Sequence, residues 1–258
     1  MGVPLERDTG RDVADRARAW TQRARARFCD HVERWDHGVV SRATRFPGYF
    51  DLNVVRVQDD PQMSVDDLVA FADHALEGLE HRRIDFDRAA VAEPLRDEFH
   101  ARDFQSLRLV LMRFQGERPS AREFPIAEVA YETVDHLRRA WHQESFPGRD
   151  DTEFQVQARE VRLALGSRVF ALHEGGEPVA FAALDVGDDE TEVGALYVLR
   201  RYRGQGRGTM LTKAAIAAAG GVRDLWICAD DEDRPRRLYT RLGFRPVLWW
   251  TEFLRQPS

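Results

Sequence analysis

The chain has 258 residues, 43% of them hydrophobic, and a formal net charge of −6. That length suits one large domain or two ordinary ones, and that apolar share supplies a packed core and excludes wholesale disorder. The acidic balance argues against a general nucleic-acid binder, whose footprint is a basic face.

Cys29 and Cys228 lie far apart, and no Cys/His spacing suggests zinc or another metal; the expectation is no metal site and a reducing, cytosolic compartment. No apolar run approaches the length of a membrane span. The opening "MGVPLERDTGRD" lacks the apolar core of a secretory signal, so no membrane partner is expected either.

In chain order, residues 10–37 read as one helix. Val13, Ala17, Trp20, Ala24, Phe28, Val32 and Trp35 recur at spacings of three and four, and Gly38 is a suitable stop. "YFDLNVVRVQ", residues 49–58, has the β-branched and aromatic content of a strand. Ser64 followed by Asp67 resembles a capping box, and Leu68, Phe71, Ala72, Ala75, Leu76 and Leu79 make an amphipathic helix behind it. A short strand at 83–86, a helix at 88–100 and the strand "SLRLVLMRF" complete a first part with no glycine-rich phosphate loop, metal cluster or nucleophile–base pair. The polar "QGERPSARE", residues 115–123, is the expected boundary, dividing 1–118 from 119–258.

The second part opens with a strand near 125–130 and helices at 133–144 and 154–165. Strands at 168–173 and 178–186 flank an "EGGE" turn, a good hairpin signal, and a third strand covers 191–198. Then "GALYV" runs into nine residues, Arg200 to Gly208, holding four arginines and three glycines. A helix at 209–219, the strand "DLWICA", a helix in "RPRRLYTRLGF" with Pro235 in its first turn and Gly243 as its cap, and a strand at 247–254 close the chain.

A glycine-rich turn between strand and helix is where backbone amides and a helix N-terminus can bind phosphate. A P-loop needs a Gly-Lys pair before its Ser or Thr, and none precedes Thr209. A dinucleotide fingerprint needs a third glycine where Thr209 stands. "RGQGRG", Arg203 to Gly208, instead matches Arg-x-x-Gly-x-Gly and resembles the coenzyme A pyrophosphate loop of the GNAT superfamily of N-acetyltransferases. "GALYV" before it looks like that family's fourth strand, and "CADDEDRPRRLYTRLGFRPV" like its later strand–helix motif. The resemblance spans about 123–255.

It implies an α+β fold in α/β/α layers: a central mixed, mostly antiparallel sheet with helices on both faces. It implies acetyl-CoA (coenzyme A) as cofactor. Backbone amides from Arg203 through Gly204, Gln205, Gly206, Arg207 and Gly208 to Thr209 would cradle the pyrophosphate, the Arg203 and Arg207 side chains adding charge. Backbone groups of Leu196, Tyr197 and Val198, on a strand splayed from "DLWICA", would hold the cofactor arm like an added strand. Tyr239 matches the tyrosine many members use as acid to the leaving thiolate; the alternative is a tyrosine packed under the cofactor without proton transfer. Even spacing puts Glu192 on the face of Gly194, Leu196 and Val198, where some members carry a catalytic glutamate base. It is otherwise an exposed carboxylate at a strand start, and many members need no base. Glu232 stands where the family often has Asn. Cys228 reads as core, and Asp185 and His173 are secondary acceptor-site candidates.

The first 115 residues are read as a degenerate copy of the same fold, giving two domains of similar fold, or else as an unrelated α/β partner. Such a domain would wall the acceptor pocket or supply a homodimer contact. The expected function is an acetyl-CoA-dependent N-acetyltransferase acting on a primary amine of a small molecule or peptide; the other reading is a silent acyl-CoA sensor or scaffold. The runs "GDDE" and "DDED" suit a cationic acceptor and simple solvation equally. Nucleic acid is not an expected partner: four arginines without an aromatic platform make no groove.

Overall fold

A computed structural model describes residues 10–120 and 125–257, so part of the 115–123 boundary stretch lies outside the described residues. The chain forms two compact units. One comprises the residues up to Leu111 together with those from Pro246 onward, and the other runs from Met112 to Arg245.

The first unit begins with helix α1 (Gly10–Phe28), which buries Val13, Ala17 and Trp20. The periodic stripe continues past Phe28, yet the chain turns into strands β1 (His31–Trp35) and β2 (Gly38–Arg42), which pair antiparallel. The 10–37 helix is therefore too long as read. Val32 and Trp35 keep the helical spacing by coincidence, and Gly38 marks a close approach, since a Cβ there would run into the Arg56 carbonyl oxygen. A 3₁₀ turn at Phe50–Leu52 shortens the next strand to β3 (Val54–Val57), antiparallel to β2. Helix α2 (Val65–Ala75) follows, its Ser64 cap accepting from the Asp67 amide at 3.2 Å and donating to the Asp67 carboxylate at 2.6 Å.

Strand β4 (Arg82–Phe86) returns parallel to β3. Pro94 falls in a 3₁₀ turn and splits the next helical stretch into α3 (Ala89–Ala92) and α4 (Arg96–His100), ahead of β5 (Gln105–Phe114). Within this unit the strand order is β1-β2-β3-β4-β11-β5, where β11 (Phe244–Arg255) is the last strand of the chain, antiparallel to β4. Ile84, Phe86, Phe99 and Phe253 are fully buried in its core, the last two stacked at 4.0 Å between ring centres. Under the sheet, Arg83 bonds Asp85 at 2.8 Å and also contacts Asp51 and Glu252, while Arg25 reaches Asp85 at 3.0 Å.

The second unit carries β6 (Ile126–Val129), a 3₁₀ turn at Tyr131–Val134, α5 (Asp135–Ser145), α6 (Thr152–Ala164), β7 (Arg168–Glu174), β8 (Glu177–Val186), β9 (Glu190–Val198), α7 (Arg207–Ala218), β10 (Asp224–Asp230) and α8 (Arg234–Arg241). Its strands run β10-β9-β8-β7-β6, antiparallel except for β9 with β10. Gly175 and Gly176, with φ of +61° and +89°, make the tight β7–β8 turn. One face buries Phe181, Ala183, Ala195 and Tyr197 against Val134 and Leu137 at the start of α5. The α+β class and the mixed, mostly antiparallel sheet are those expected.

Candidate active site

Two features of the second unit make the site. The first is a fork. The β9–β10 pairing runs from Glu190 with Asp224 to Val193 with Ile227 and ends there, although β9 continues to Val198 and β10 to Asp230. Residues 194–198 therefore have no partner on β10, which is the splay expected around Leu196, Tyr197 and Val198.

The second is the glycine loop at the end of β9. After a 3₁₀ turn at Arg200–Tyr202, Gly204 and Gly206 adopt φ of +76° and +81°, and Gly206 caps α7. The Met210 amide makes the first intrahelical bond, to the Gly206 carbonyl at 3.0 Å, so the amides of Arg207, Gly208 and Thr209 occupy the first-turn positions that lack helical partners. A Cβ at Gly204 or Gly206 would meet nothing within 4 Å, so the space over the loop is open. Positive φ, open space and a helix N-terminus together fit a diphosphate. The Arg203 amide differs from expectation: it donates to the Arg200 carbonyl at 3.2 Å.

Both motif arginines have protein partners. Arg207 bonds the Glu174 carboxylate at 2.5 and 3.0 Å and the Tyr202 carbonyl at 3.2 Å. Arg203 donates through Nε to the Val198 carbonyl at 2.8 Å and through Nη2 to Glu144 at 2.6 Å. No local motif points to Glu144 or Glu174, because each reaches the loop from a distant element.

Glu192 does not share a face with Leu196 and Val198. Between Ala183–Ala195 and Leu184–Val193 the β8–β9 register slips by one, leaving Gly194 as the extra residue of a β-bulge. The bulge inverts the alternation: Glu192 pairs with Asp185, on the face of Ala195 and Tyr197. Even spacing failed there because it assumes an unbroken pleat. A side chain at Gly194 would collide with Asp185 and with Arg162. Asp185 is itself held by Arg162 and Ser167, a structural role. His173 is exposed on β7, and Cys228 is half-buried on β10.

Tyr239 is buried on α8, edge-on to Phe244 at 6.1 Å. Burial, with Cys228 and Asp233 nearby, pushes its phenol up to about 12. The hydroxyl therefore keeps its proton at neutral pH. Among the described residues no group of His, Cys, Asp and Glu is arranged to hold a metal ion, and no helix is long and apolar enough to cross a membrane.

The acetyltransferase (GNAT) family model matches residues 131–244, which take in the fork, the loop and α8. The chain thus carries a domain of that family. Among solved structures, a conserved protein of Staphylococcus epidermidis described as functionally unknown has a TM-score of 0.64 at 14% identity, over 89% of this chain and 95% of its own. A GCN5-related N-acetyltransferase from Kribbella flavida gives 0.56 at 19%, over 95% and 96%. One from Sphaerobacter thermophilus gives 0.50 at 14%, over 97% and 94%. These likenesses, spanning nearly the whole chain, show the fold. No curated protein matches the sequence.

Proposed function

We propose that the second unit transfers an acetyl group from acetyl-CoA to a primary amine of a small molecule or peptide. The observation that carries this is the coincidence of fork and loop: the β9 backbone loses its β10 partner after Val193, and the strand then leads directly into an open glycine loop and the bare amides of α7. Gly204 and Gly206 let the backbone approach the diphosphate, and the amides of Arg207, Gly208 and Thr209, with the positive end of α7, offset its charge. Leu196, Tyr197 and Val198, on the strand edge left without a β10 partner, are offered to the pantetheine arm. The bound coenzyme supplies the thioester carbonyl and a thiolate leaving group.

Tyr239 gives its proton to that thiolate. Glu192 is kept as the base for the ammonium proton because it lies on β9 one rung before the fork, opposite Trp226, although the bulge turns it to the face of Ala195 and Tyr197 and not to that of Leu196 and Val198. A Glu192→Gln variant with unchanged kcat/KM across pH 6 to 9 would remove Glu192 from that role, leaving the amine to enter already neutral.

The first unit is read as a degenerate second copy of the fold, because β2-β3-α2-β4 repeats the order and pairing senses of β8-β9-α7-β10. The test of the whole reading is calorimetric titration with acetyl-CoA of wild type and Gly206→Glu, with circular dichroism to check folding. Glutamate there combines charge repulsion with a positive φ that side chains resist. Wild type is expected to bind at micromolar strength and the variant at least a hundredfold more weakly, about 2.7 kcal/mol. Wild type that binds neither acetyl-CoA nor longer acyl-CoAs overturns the reading; binding without turnover on any amine would favour an acyl-CoA sensor.

A further inference from the structure

We propose that Glu144, on the last turn of α5, is a positioning residue for coenzyme binding: it clamps Arg203 to the end of β9 and thereby sets the entry of the glycine loop. The proposal rests on the reading that this loop binds acetyl-CoA.

One carboxylate joins three elements. Its Oε1 accepts the Tyr197 hydroxyl of β9 at 2.7 Å and its Oε2 accepts Arg203 Nη2 of the loop at 2.6 Å. The Arg203 guanidinium is fixed at two further points. Its Nε donates to the Val198 carbonyl at 2.8 Å, and its carbon lies 5.3 Å from the centre of the Tyr197 ring. Trp141, one turn back on α5, stacks on the other member of the pair, its ring 6.1 Å from Tyr197. Burial alone would raise the Glu144 pKa, but the bonds from Tyr197 and Arg203 outweigh it and hold the carboxyl below its usual value. It is ionised wherever Arg203 needs a counter-charge.

The consequence is a division of labour within the loop. An arginine in a phosphate-binding turn ordinarily offers its fork to the anion. Here the fork is spent on Val198 and Glu144, so Arg203 serves as a tether. Its backbone is extended, at φ −73° and ψ 163°, immediately before Gly204 turns to φ +76°. Fixing Arg203 against β9 therefore fixes where that turn begins and where the α7 amides point. The pair is a third to a half exposed, with side-chain exposures of 34% and 45%, so it adds little to folding stability directly. Its effect falls on preorganisation of the cradle, which is felt in ligand affinity.

The test is a double-mutant cycle on acetyl-CoA affinity with wild type, Glu144→Gln, Arg203→Lys and the double variant, each also scanned for its thermal midpoint. Gln keeps an acceptor for Tyr197 but drops the charge; Lys keeps the charge but loses the fork. Each single variant is expected to bind acetyl-CoA about tenfold more weakly. The double variant should be no weaker than either single, and all midpoints should agree within about two degrees. Tyr197→Phe, which leaves the Glu144–Arg203 bond in place, should cost threefold or less. The inference is overturned if Glu144→Gln binds as wild type does, if the two losses multiply as independent sites would, or if affinity falls only in step with the midpoint. Wild type that fails to bind acetyl-CoA overturns the functional reading, and this inference with it.

Discussion

The two units use the same turn of chain in opposite ways. In each, an antiparallel pair leads through a connection and a helix to a parallel strand. In the second unit the parallel pair β9–β10 is closed at the start of β9 and open toward its end, beyond Val193 and Ile227. In the first unit the pair β3–β4 stays closed at the corresponding end. Val55, Arg56 and Val57 pair with Ile84, Asp85 and Phe86, and the Asp87 amide extends the ladder by donating to the Val57 carbonyl at 2.9 Å.

The connections differ to match. Where the second unit has Gly204 and Gly206 before bare helix amides, the first has "QDDPQMS" and a helix whose Asp67 amide is already satisfied by Ser64. Asp66 and Asp67 occupy that first turn. Acids there stabilise the helix by the same field that would attract a phosphate, and so repel one. The shared topology thus combines an open ladder with an uncapped helix start in the second unit and a closed ladder with a capped, acidic helix start in the first.

Four substitutions test this contrast, in falling order of effect. Phe253→Ala removes a fully buried ring stacked on Phe99 and should cost the first unit about 3–5 kcal/mol in denaturant unfolding. A loss below 1 kcal/mol would show that the end of the chain is not part of that core. Tyr239→Phe should lower kcat roughly a hundredfold with the acetyl-CoA dissociation constant unchanged. Because the phenol is pushed up to about 12, no fall in rate below pH 10 should trace to it. An unaltered kcat would mean the thiolate takes its proton elsewhere.

The third concerns pH. Arg83 faces three carboxylates, and burial together with Asp85 and Asp51 pushes Glu252 up to about 7 against the pull of Arg83. A carboxyl raised in the folded state binds its proton more tightly there than when unfolded. Its contribution is therefore favourable at low pH and is lost as pH climbs from about 4.5 toward 7. Glu252→Gln should have a higher melting midpoint than wild type at pH 8, by roughly 3 °C, and the gap should close at pH 5. A gap that widens on acidification would reverse the assigned direction. Smallest, Ser64→Ala should cost about 1 kcal/mol of stability through the lost cap, with acetyl-CoA affinity untouched; a change in affinity would tie this helix start to the coenzyme and break the contrast.

Much of the candidate site was legible because it is local. The strand "GALYV", the loop "RGQGRG" and the helix with "LYTRLGF" are contiguous runs whose residue types state their own geometry: glycines for positive φ, a helix behind them, a tyrosine on it. The bulge at Gly194 was not legible, since a slipped register is a property of two strands and not of one. Nor was the hairpin β1–β2, where Val32 and Trp35 satisfy helical spacing while the chain reverses near Gly38. Glu144 and Glu174 belong to no local motif, and only the fold brings them to Arg203 and Arg207.

The sequence by itself determined the order of most elements and the place of the glycine loop, because periodicity, caps and turn residues act over a few positions along one chain; the α+β class followed from the family resemblance carried by that loop and its neighbours. Only the tertiary structure decided that residues from Pro246 onward pack with the first unit, that β9 and β10 part after Val193, and which side of the sheet Glu192 faces. It alone decided that Arg203 and Arg207 direct their charge to protein carboxylates. Those outcomes depend on pairings between residues tens of positions apart, and burial, register and counter-charge are defined only once both partners are in place.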